Sequence, residues 1–249
     1  MPTKKQARAA QKRRHEQYEA RLAVRQARRR RRQQIVSALA AGSLVLGGGI
    51  VALTSLNSAP ATPSPSPTPS TTSPQLGPPS GYAEGREWTA TIETGQGTLT
   101  VRLDGALAPQ AVGSFVYLAR QGYFDDTSCH RLVTEGIFVL QCGDPTETGT
   151  GGPDYRFGPV ENAPSDDIYP AGTIAMARAS NDGYSMGSQF FIVYQDSTIS
   201  SDLAGGYTIF GTVTDGLDIV EAIAAAGTET GLSDGRPAEP VILHEVSVS

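Results

Sequence analysis

The alternation of apolar and polar positions that begins near residue 88 predicts β-structure. Apolar residues occupy every second position from Trp88 to Ile92 and again from Leu99 to Leu103. The Gly-Gln-Gly sequence at 95–97 stands between the two runs and supplies a turn. We therefore expect a β-hairpin with one buried face.

Helical spacing replaces this alternation in two places. Pro109 suits a first helical turn, the apolar residues after it recur three and four positions apart, and Gly122 provides a stop. A second helix is expected over about 217–226, with Val220 and Ile223 facing inward.

The remaining apolar runs are short and predict an antiparallel sheet. Between the two helices, Gly, Asp and Pro separate these runs from one another. A last strand at 241–248 needs a partner that is distant in sequence. A sheet closed on itself provides that partner and leaves no exposed edge, so the pattern predicts a small, mainly β barrel with two helices.

A long apolar segment precedes this domain. Residues 35–56 contain no charged residue, and 22 helical residues span the roughly 30 Å hydrocarbon core of a bilayer. We expect a single transmembrane helix, with the arginines of 28–32 marking its cytoplasmic end and the C-terminal domain lying outside the cell. A cleaved signal peptide is the alternative, but its apolar region is usually about 7 to 15 residues long.

Charge and composition divide the chain further. Residues 1–34 carry 13 of the 20 Lys and Arg residues, whereas the rest of the chain has a negative net charge and contains no Lys. We expect this basic tail to lie near anionic lipid head groups, and we do not expect it to bind nucleic acid. Residues 57–84 are rich in Pro, Ser and Thr and predict an extended linker. The folded domain is expected at 85–249.

Two stretches carry the candidate chemistry: CHRLVTEGIFVLQCGD at 129–144 and GSQFFIV at 187–193. Both resemble the cyclophilin family, and the resemblance extends over about 86–249. It implies a closed antiparallel eight-stranded barrel capped by two α-helices. It also implies peptidyl-prolyl cis-trans isomerase activity without a cofactor or a metal.

Isomerisation of the bond before proline must overcome a barrier of about 18 to 20 kcal/mol, because rotation breaks amide resonance. A catalyst needs a pocket for the proline ring and a fixed donor for the prolyl nitrogen. The resemblance assigns the donor to Arg131, whose guanidinium stays charged at any relevant pH. Gln141 would hold the substrate carbonyl or brace Arg131.

The resemblance also supplies the substrate-binding positions. They are Phe138, Val139, Met176, Ala177, Arg178, Ala179, Gln189, Phe191, Leu203 and Tyr207. Arg178 stands where Asn is usual and would add a cation to the groove, and the 131–141 segment is two residues longer than in well-known members. His130 is expected to be a structural neighbour of the site with its hydrogen bonds satisfied.

Cys129 and Cys142 are the only cysteines of the chain. They would lie on neighbouring antiparallel strands if the chain turns at 134–137, and oxidation is permitted outside the membrane. We therefore predict a disulfide, with two buried thiols as the alternative. His130, His244 and the two cysteines lack the spacing of a metal site.

Three functions can be compared on these grounds. The first is a monomeric, membrane-anchored isomerase that acts on X-Pro bonds of exported or cell-surface polypeptides and assists their folding. The second is a proline-peptide-binding or scaffolding module on the same barrel. The third is an α/β-hydrolase, since residues 183–187 fit G-x-S-x-G and His244 follows. An elbow of that kind needs a helix after it, whereas the sequence after Gly187 predicts a strand.

Overall fold

A computed structural model describes residues 80–249 of the chain. A short 3₁₀ helix at Ser80–Ala83 comes first. The strands are β1 Glu87–Thr94, β2 Thr98–Asp104, β3 Thr127–Ser128, β4 Arg131–Val133, β5 Val139–Cys142, β6 Ile168–Tyr169, β7 Thr173–Met176, β8 Phe190–Val193, β9 Ser197–Thr198, β10 Ile209–Asp215, β11 Asp234–Gly235 and β12 Ile242–Val248. The helices are α1 Pro109–Arg120 and α2 Leu217–Ala225.

The predicted hairpin is confirmed. Strands β1 and β2 pair antiparallel with Trp88 opposite Leu103 and Ile92 opposite Leu99, and all four side chains are buried. The turn closes through backbone hydrogen bonds between Thr94 and Gly97. The alternation in sequence therefore places one face of this hairpin in the core.

Both predicted helices are present among the described residues. Helix α1 begins at Pro109, and its second and third residues donate their backbone N–H groups to the carboxylate of Glu161 at 3.1 Å. Helix α2 ends one residue before the predicted end and buries Val220 and Ile223 as expected.

The main sheet has ten antiparallel strands in the order β11-β4-β5-β8-β7-β10-β2-β1-β12-β3. The terminal strand β12 pairs with β1, its distant partner, as predicted. The sheet curls, so that the two residues joining β3 to β4 contact both the residue before β12 and strand β5. In that segment the Cys129 N–H donates to the Val241 carbonyl at 2.9 Å, and the His130 N–H donates to the Gln141 carbonyl at 3.0 Å.

Strands β4, β5, β7 and β8 separate two apolar clusters because successive side chains point to opposite faces. Phe190 and Ile192 enter the main core between the sheet and the helices. Phe191 and Val193 point the other way, into a small cluster with Val133 and Val139. This second cluster forms the floor of the site described below.

The predicted disulfide is confirmed: Cys129 and Cys142 are bonded, with their Cα atoms 4.0 Å apart. The bond links the residue two before Arg131 to the residue after Gln141. It therefore fixes the two strands on which the candidate catalytic residues lie.

Within residues 80–249 no helix is long and apolar enough to cross a membrane. The basic tail at 1–34, the predicted span at 35–56 and most of the linker at 57–84 lie outside the described residues. Predictions about them remain predictions.

Candidate active site

Two cavities lie side by side on the outer face of strands β5, β7 and β8. The smaller one, called the apolar slot, has a volume of about 180 Å³ and is lined by Arg131, Ile137, Val139, Gln141, Ala177, Arg178, Phe191, Ile199 and Tyr207. The second cavity has a volume of about 290 Å³ and is lined by Gln141, Gly149, Thr150, Gly151, Arg156, Ala177, Arg178, Ala179, Ser185, Gly187, Ser188 and Gln189. The two share three residues and so form a continuous groove.

Aromatic and aliphatic side chains build the apolar slot. Phe191 forms part of its floor and is 6 % exposed. The ring of Tyr207 meets that of Phe191 edge-on, with the centroids 5.6 Å apart. Val139 and Ile137 complete the wall on the side of β5. A slot of this size and character suits one small apolar ring.

Arg131 stands at the mouth of the slot, and its guanidinium is oriented by a bidentate ion pair. Its Nε and Nη2 donate to the two carboxylate oxygens of Asp234 at 2.8 Å and 2.6 Å. The pKa of Arg131 is raised, chiefly by this hydrogen bond, so the group stays protonated at neutral pH. The remaining nitrogen, Nη1, donates to Gln141 Oε1 at 3.4 Å, and its second N–H has no acceptor among the described residues.

A row of side-chain amides continues from Arg131 into the second cavity. Gln141 Nε2 donates to Gln189 Oε1 at 2.9 Å, and Gln189 Nε2 donates to the Gly151 carbonyl at 2.8 Å. Of the two roles expected for Gln141, the structure supports bracing of Arg131. The row therefore runs from the wall of the apolar slot along the wall of the second cavity.

A family model described as "Cyclophilin type peptidyl-prolyl cis-trans isomerase/CLD" matches residues 89–248. The chain belongs to the cyclophilin family. This agrees with the apolar slot and the arginine at its mouth, and it confirms the resemblance found in the sequence.

Individual cyclophilins differ in how much of their length the chain matches. The "Probable peptidyl-prolyl cis-trans isomerase B" of Mycobacterium tuberculosis is 44% identical over 165 residues, which are 61% of this chain and 52% of the relative. The chain therefore spans about half the length of this mycobacterial cyclophilin. The "Peptidyl-prolyl cis-trans isomerase cyp18" of Streptomyces antibioticus is 33% identical over 172 residues, which are 64% of this chain and 98% of the relative.

A solved structure is similar to the same domain. It is the cyclophilin type isomerase of Cryptosporidium parvum crystallised in the presence of the dipeptide Ala-Pro, with a TM-score of 0.55 and 29% sequence identity. The match covers 65% of this chain and 98% of the Cryptosporidium chain. The two chains therefore share the curled sheet and its two helices.

The structure brings most of the predicted site residues to the cyclophilin groove. Those that line one or both cavities are Arg131, Val139, Gln141, Ala177, Arg178, Ala179, Gln189, Phe191 and Tyr207. Three predicted binding residues, Phe138, Met176 and Leu203, line neither cavity.

The alternation of strand faces explains two of these corrections. Val139 faces the slot, so its neighbour Phe138 faces away and packs against the main core beside Tyr194. Ala175 belongs to the small cluster below the slot, so its neighbour Met176 points the other way and is buried in the main core at 2 % exposure.

Leu203 differs from its predicted place for another reason. It lies at the tip of the turn between Asp202 and Gly205, whose backbones bond to each other at 3.1 Å and 2.9 Å. Its side chain is 95 % exposed. A turn of this kind directs its central side chains into solvent, so Leu203 does not complete the slot wall.

Arg178 is present at the groove but does not act as the free cation that the sequence predicts. Its side chain is fully buried, and it donates to both carboxylate oxygens of Asp202 at 2.9 Å. It also donates to the Gly206 carbonyl at 3.0 Å and lies over the Tyr207 ring at 4.6 Å. This pairing raises the pKa of Arg178 and lowers that of Asp202. Arg178 therefore fastens the 202–207 turn to the groove.

Sequence reasoning missed Asp234, the ion-pair partner of Arg131. Asp234 lies 103 residues later, in a two-residue strand that has no periodic pattern. Ile137 was also missed as a lining residue, because it lies in the segment whose length departs from the family pattern.

The hydrolase interpretation is wrong for this site. The Ser185 hydroxyl donates to the Asp182 carbonyl at 2.7 Å and accepts the Ala179 N–H at 2.8 Å. Gly187 leads into strand β8 rather than a helix. His244 is about half exposed and its nearest carboxylate is Asp126, at 3.9 Å. A nucleophilic serine needs a base within hydrogen-bond reach, and none is bonded to Ser185.

The expectation that the imidazole of His130 has its hydrogen bonds satisfied is wrong. The residue is buried at 8 % exposure, and neither ring nitrogen has a hydrogen-bond partner in the described structure. Burial is the main cause that lowers its pKa, and Arg236 and Arg131 add to this effect, while Asp144 opposes it.

We expect the free energy of unfolding to fall as the pH is lowered from 7.5 to 5.5. The unfolded chain takes up a proton on His130 near pH 6.5, whereas the folded chain resists it until lower pH. The contribution of neutral His130 to the free energy of unfolding is fully present above about pH 6.5. It declines as the pH falls toward the lower pKa of the folded state, by less than about 1.4 kcal/mol per pH unit. Guanidinium denaturation at both pH values measures it.

The matched controls are His130→Gln, which should reduce this dependence, and His244→Gln, which should retain it. His244 is about half exposed, so this variant removes a histidine that lies outside the core. Equal pH dependence in the wild type and in His130→Gln would contradict the assignment.

We expect Asp234→Ala to lower kcat/KM for proline isomerisation about ten-fold, because the guanidinium of Arg131 loses the carboxylate that orients it. Asp234 is a positioning residue, so its effect should depend on Arg131. The double variant Arg131→Ala/Asp234→Ala should be no slower than Arg131→Ala alone. Additive losses, or an unchanged rate in Asp234→Ala, would argue against this role.

Proposed function

We propose that the protein is a peptidyl-prolyl cis-trans isomerase acting on X-Pro bonds. The observation that carries this proposal is Arg131, which lines a slot floored by Phe191 and whose Nη1 uses only one of its two N–H groups, in a long contact with Gln141. The related isomerases named above support it. No nucleophile or proton carrier is needed, because only rotation about the imide bond takes place.

The mechanism follows from the groove. The proline ring enters the apolar slot, and burial of its ring atoms holds the imide in place. As the bond twists, the lone pair of the prolyl nitrogen is released from resonance, and Arg131 donates a hydrogen bond to it. This contact is stronger in the twisted state than in either planar isomer, so it lowers the barrier. Gln141 keeps the guanidinium from turning away.

We propose that the clients are exported or cell-surface polypeptides and that isomerisation assists their folding. The apolar segment at 35–56 and the arginines at 28–32 support a single-pass anchor with a cytoplasmic N-terminus. The Cys129–Cys142 disulfide supports an extracytoplasmic domain, because such bonds persist in oxidising compartments. Protease added to intact cells should digest the domain. Digestion only after lysis would contradict this placement.

We also propose that the curled sheet forms the closed barrel that the resemblance implies. The segment between β3 and β4 bonds to Val241 on one side and Gln141 on the other, which supports closure through that segment.

A proline-binding module without catalysis is the second candidate. The specific observation in its favour is that Asp234 already occupies two nitrogens of Arg131. Such a module would bind proline peptides without changing the rate at which their isomers interconvert.

The pH dependence of the rate tests the proposed chemistry. With the full-length chain and an Ala-Pro peptide, we expect kcat/KM to be flat between about pH 6 and 8, since neither cavity is lined by a histidine and Arg131 keeps its proton. A bell-shaped profile centred near neutrality would contradict an arginine-based mechanism.

A further inference from the structure

The second cavity contains a cation whose charge nothing in the described structure balances. Arg156 lines this cavity, and no carboxylate of residues 80–249 lies within ion-pair distance of its guanidinium. The other two arginines of the groove differ in this respect. Arg131 pairs with Asp234, and Arg178 pairs with Asp202.

The guanidinium of Arg156 is held in a fixed place at the cavity wall. Its Nη1 donates to the carbonyls of Pro153 and Tyr155, both at 2.8 Å. A Cβ atom built on Gly152 would come within 3.1 Å of Nη1, and one built on Gly187 within 3.3 Å. The absence of side chains at these two glycines therefore lets the guanidinium lie close against the backbone. Its Nε and Nη2 donate to no acceptor among the described residues.

The other polar side chains of the second cavity are already engaged. Gln189 uses its oxygen and its nitrogen in the amide row. Ser185 and Ser188 donate to backbone carbonyls, and Thr150 bonds to Thr148. Arg156 is therefore the lining side chain with charge and donor capacity to spare, and a carboxylate is the ligand group that best matches a guanidinium edge.

We propose that the second cavity is a subsite for an acidic side chain of the substrate, recognised by Arg156. The cavity shares Gln141, Ala177 and Arg178 with the apolar slot, so its occupant comes from the same polypeptide, close in sequence to the proline. A volume of about 290 Å³ accommodates an aspartate or glutamate side chain. This inference rests on the proposed isomerase function and specifies its substrate class.

The test is a set of Ala-Pro peptides in which Glu, Gln or Lys replaces one residue at a time, from three positions before the proline to two after it. With the full-length chain at low salt, we expect kcat/KM to be about five-fold higher for Glu than for Gln at one position only. Lys at that position should give the lowest value. The preference for Glu should shrink as salt is raised, because Arg156 is partly exposed to solvent.

The ratio of the Glu to the Gln rate within each variant separates recognition from any general loss of activity. Arg156→Gln should reduce this ratio to about one, and Arg156→Lys should retain part of it. Arg120→Gln is the matched control, because it removes one positive charge beside Trp88 without touching either cavity. Its ratio should equal that of the wild type.

Three results would overturn the inference: no position at which Glu is preferred, an unchanged ratio in Arg156→Gln, or an equal loss in Arg120→Gln. Each of them leaves isomerisation of the Ala peptide intact. Failure of the proposed function is a different outcome, namely no acceleration of any peptide by the wild type.

Discussion

Replacing Arg131 by alanine is expected to lower kcat/KM for an X-Pro peptide by about 100-fold or more. Loss of one preorganised donor to a charge that develops in the transition state costs rate by roughly two to three orders of magnitude. Among residues 80–249 the other cation that lines the slot is Arg178, which is buried against Asp202 and so cannot take its place. The measurement is the catalysed exchange between cis and trans isomers.

Two variants control for this loss. Arg131→Lys keeps the charge but lacks the planar guanidinium that donates to both carboxylate oxygens of Asp234, so an intermediate rate is expected. Arg102→Ala removes a half-exposed arginine that pairs with Glu87 and lines neither cavity, so its rate should equal that of the wild type. A rate for Arg131→Ala within two-fold of the wild type would remove this side chain from the mechanism.

Reduction of the disulfide is expected to lower the free energy of unfolding by about 3 kcal/mol. The bond closes a short loop, since Cys129 and Cys142 are 13 residues apart in sequence, and cross-links of about this length destabilise the unfolded chain by that amount. Because the chain has no other cysteine, reductant acts on this bond alone. Guanidinium denaturation with and without dithiothreitol measures the difference.

The double variant Cys129→Ala/Cys142→Ala supplies the control. Its free energy of unfolding should not respond to reductant. Because the bond flanks Arg131 and Gln141, reduction should also lower kcat/KM of the wild type at temperatures well below its melting point. An unchanged stability after complete reduction, verified by alkylation and mass, would contradict this account.

Local sequence patterns predicted the framework of the domain because each was strong by itself. The alternation from Trp88 to Leu103 sets the hairpin, and Pro109 sets the start of α1. The cysteines paired as predicted because the turn between β4 and β5 brings them together.

The details of the groove depended on information that the sequence does not carry locally. Met176 ends β7 and Phe138 directly precedes β5, but the face on which each side chain lies is fixed by the register of these strands against β8. The partner of Arg131 comes from a strand about 100 residues away. The sequence predicts Arg178 to be a free cation of the groove, because nothing local indicates that the turn carrying Asp202 packs over it.

The most direct test of the central claim is the exchange rate of an Ala-Pro peptide measured by NMR, with the full-length chain present at a hundredth of the peptide concentration. Uncatalysed exchange takes tens of seconds or longer. We predict that cis and trans signals will exchange many times per second with the wild type and at close to the uncatalysed rate with Arg131→Ala. Peptide binding with an unchanged exchange rate in the wild type would contradict the account.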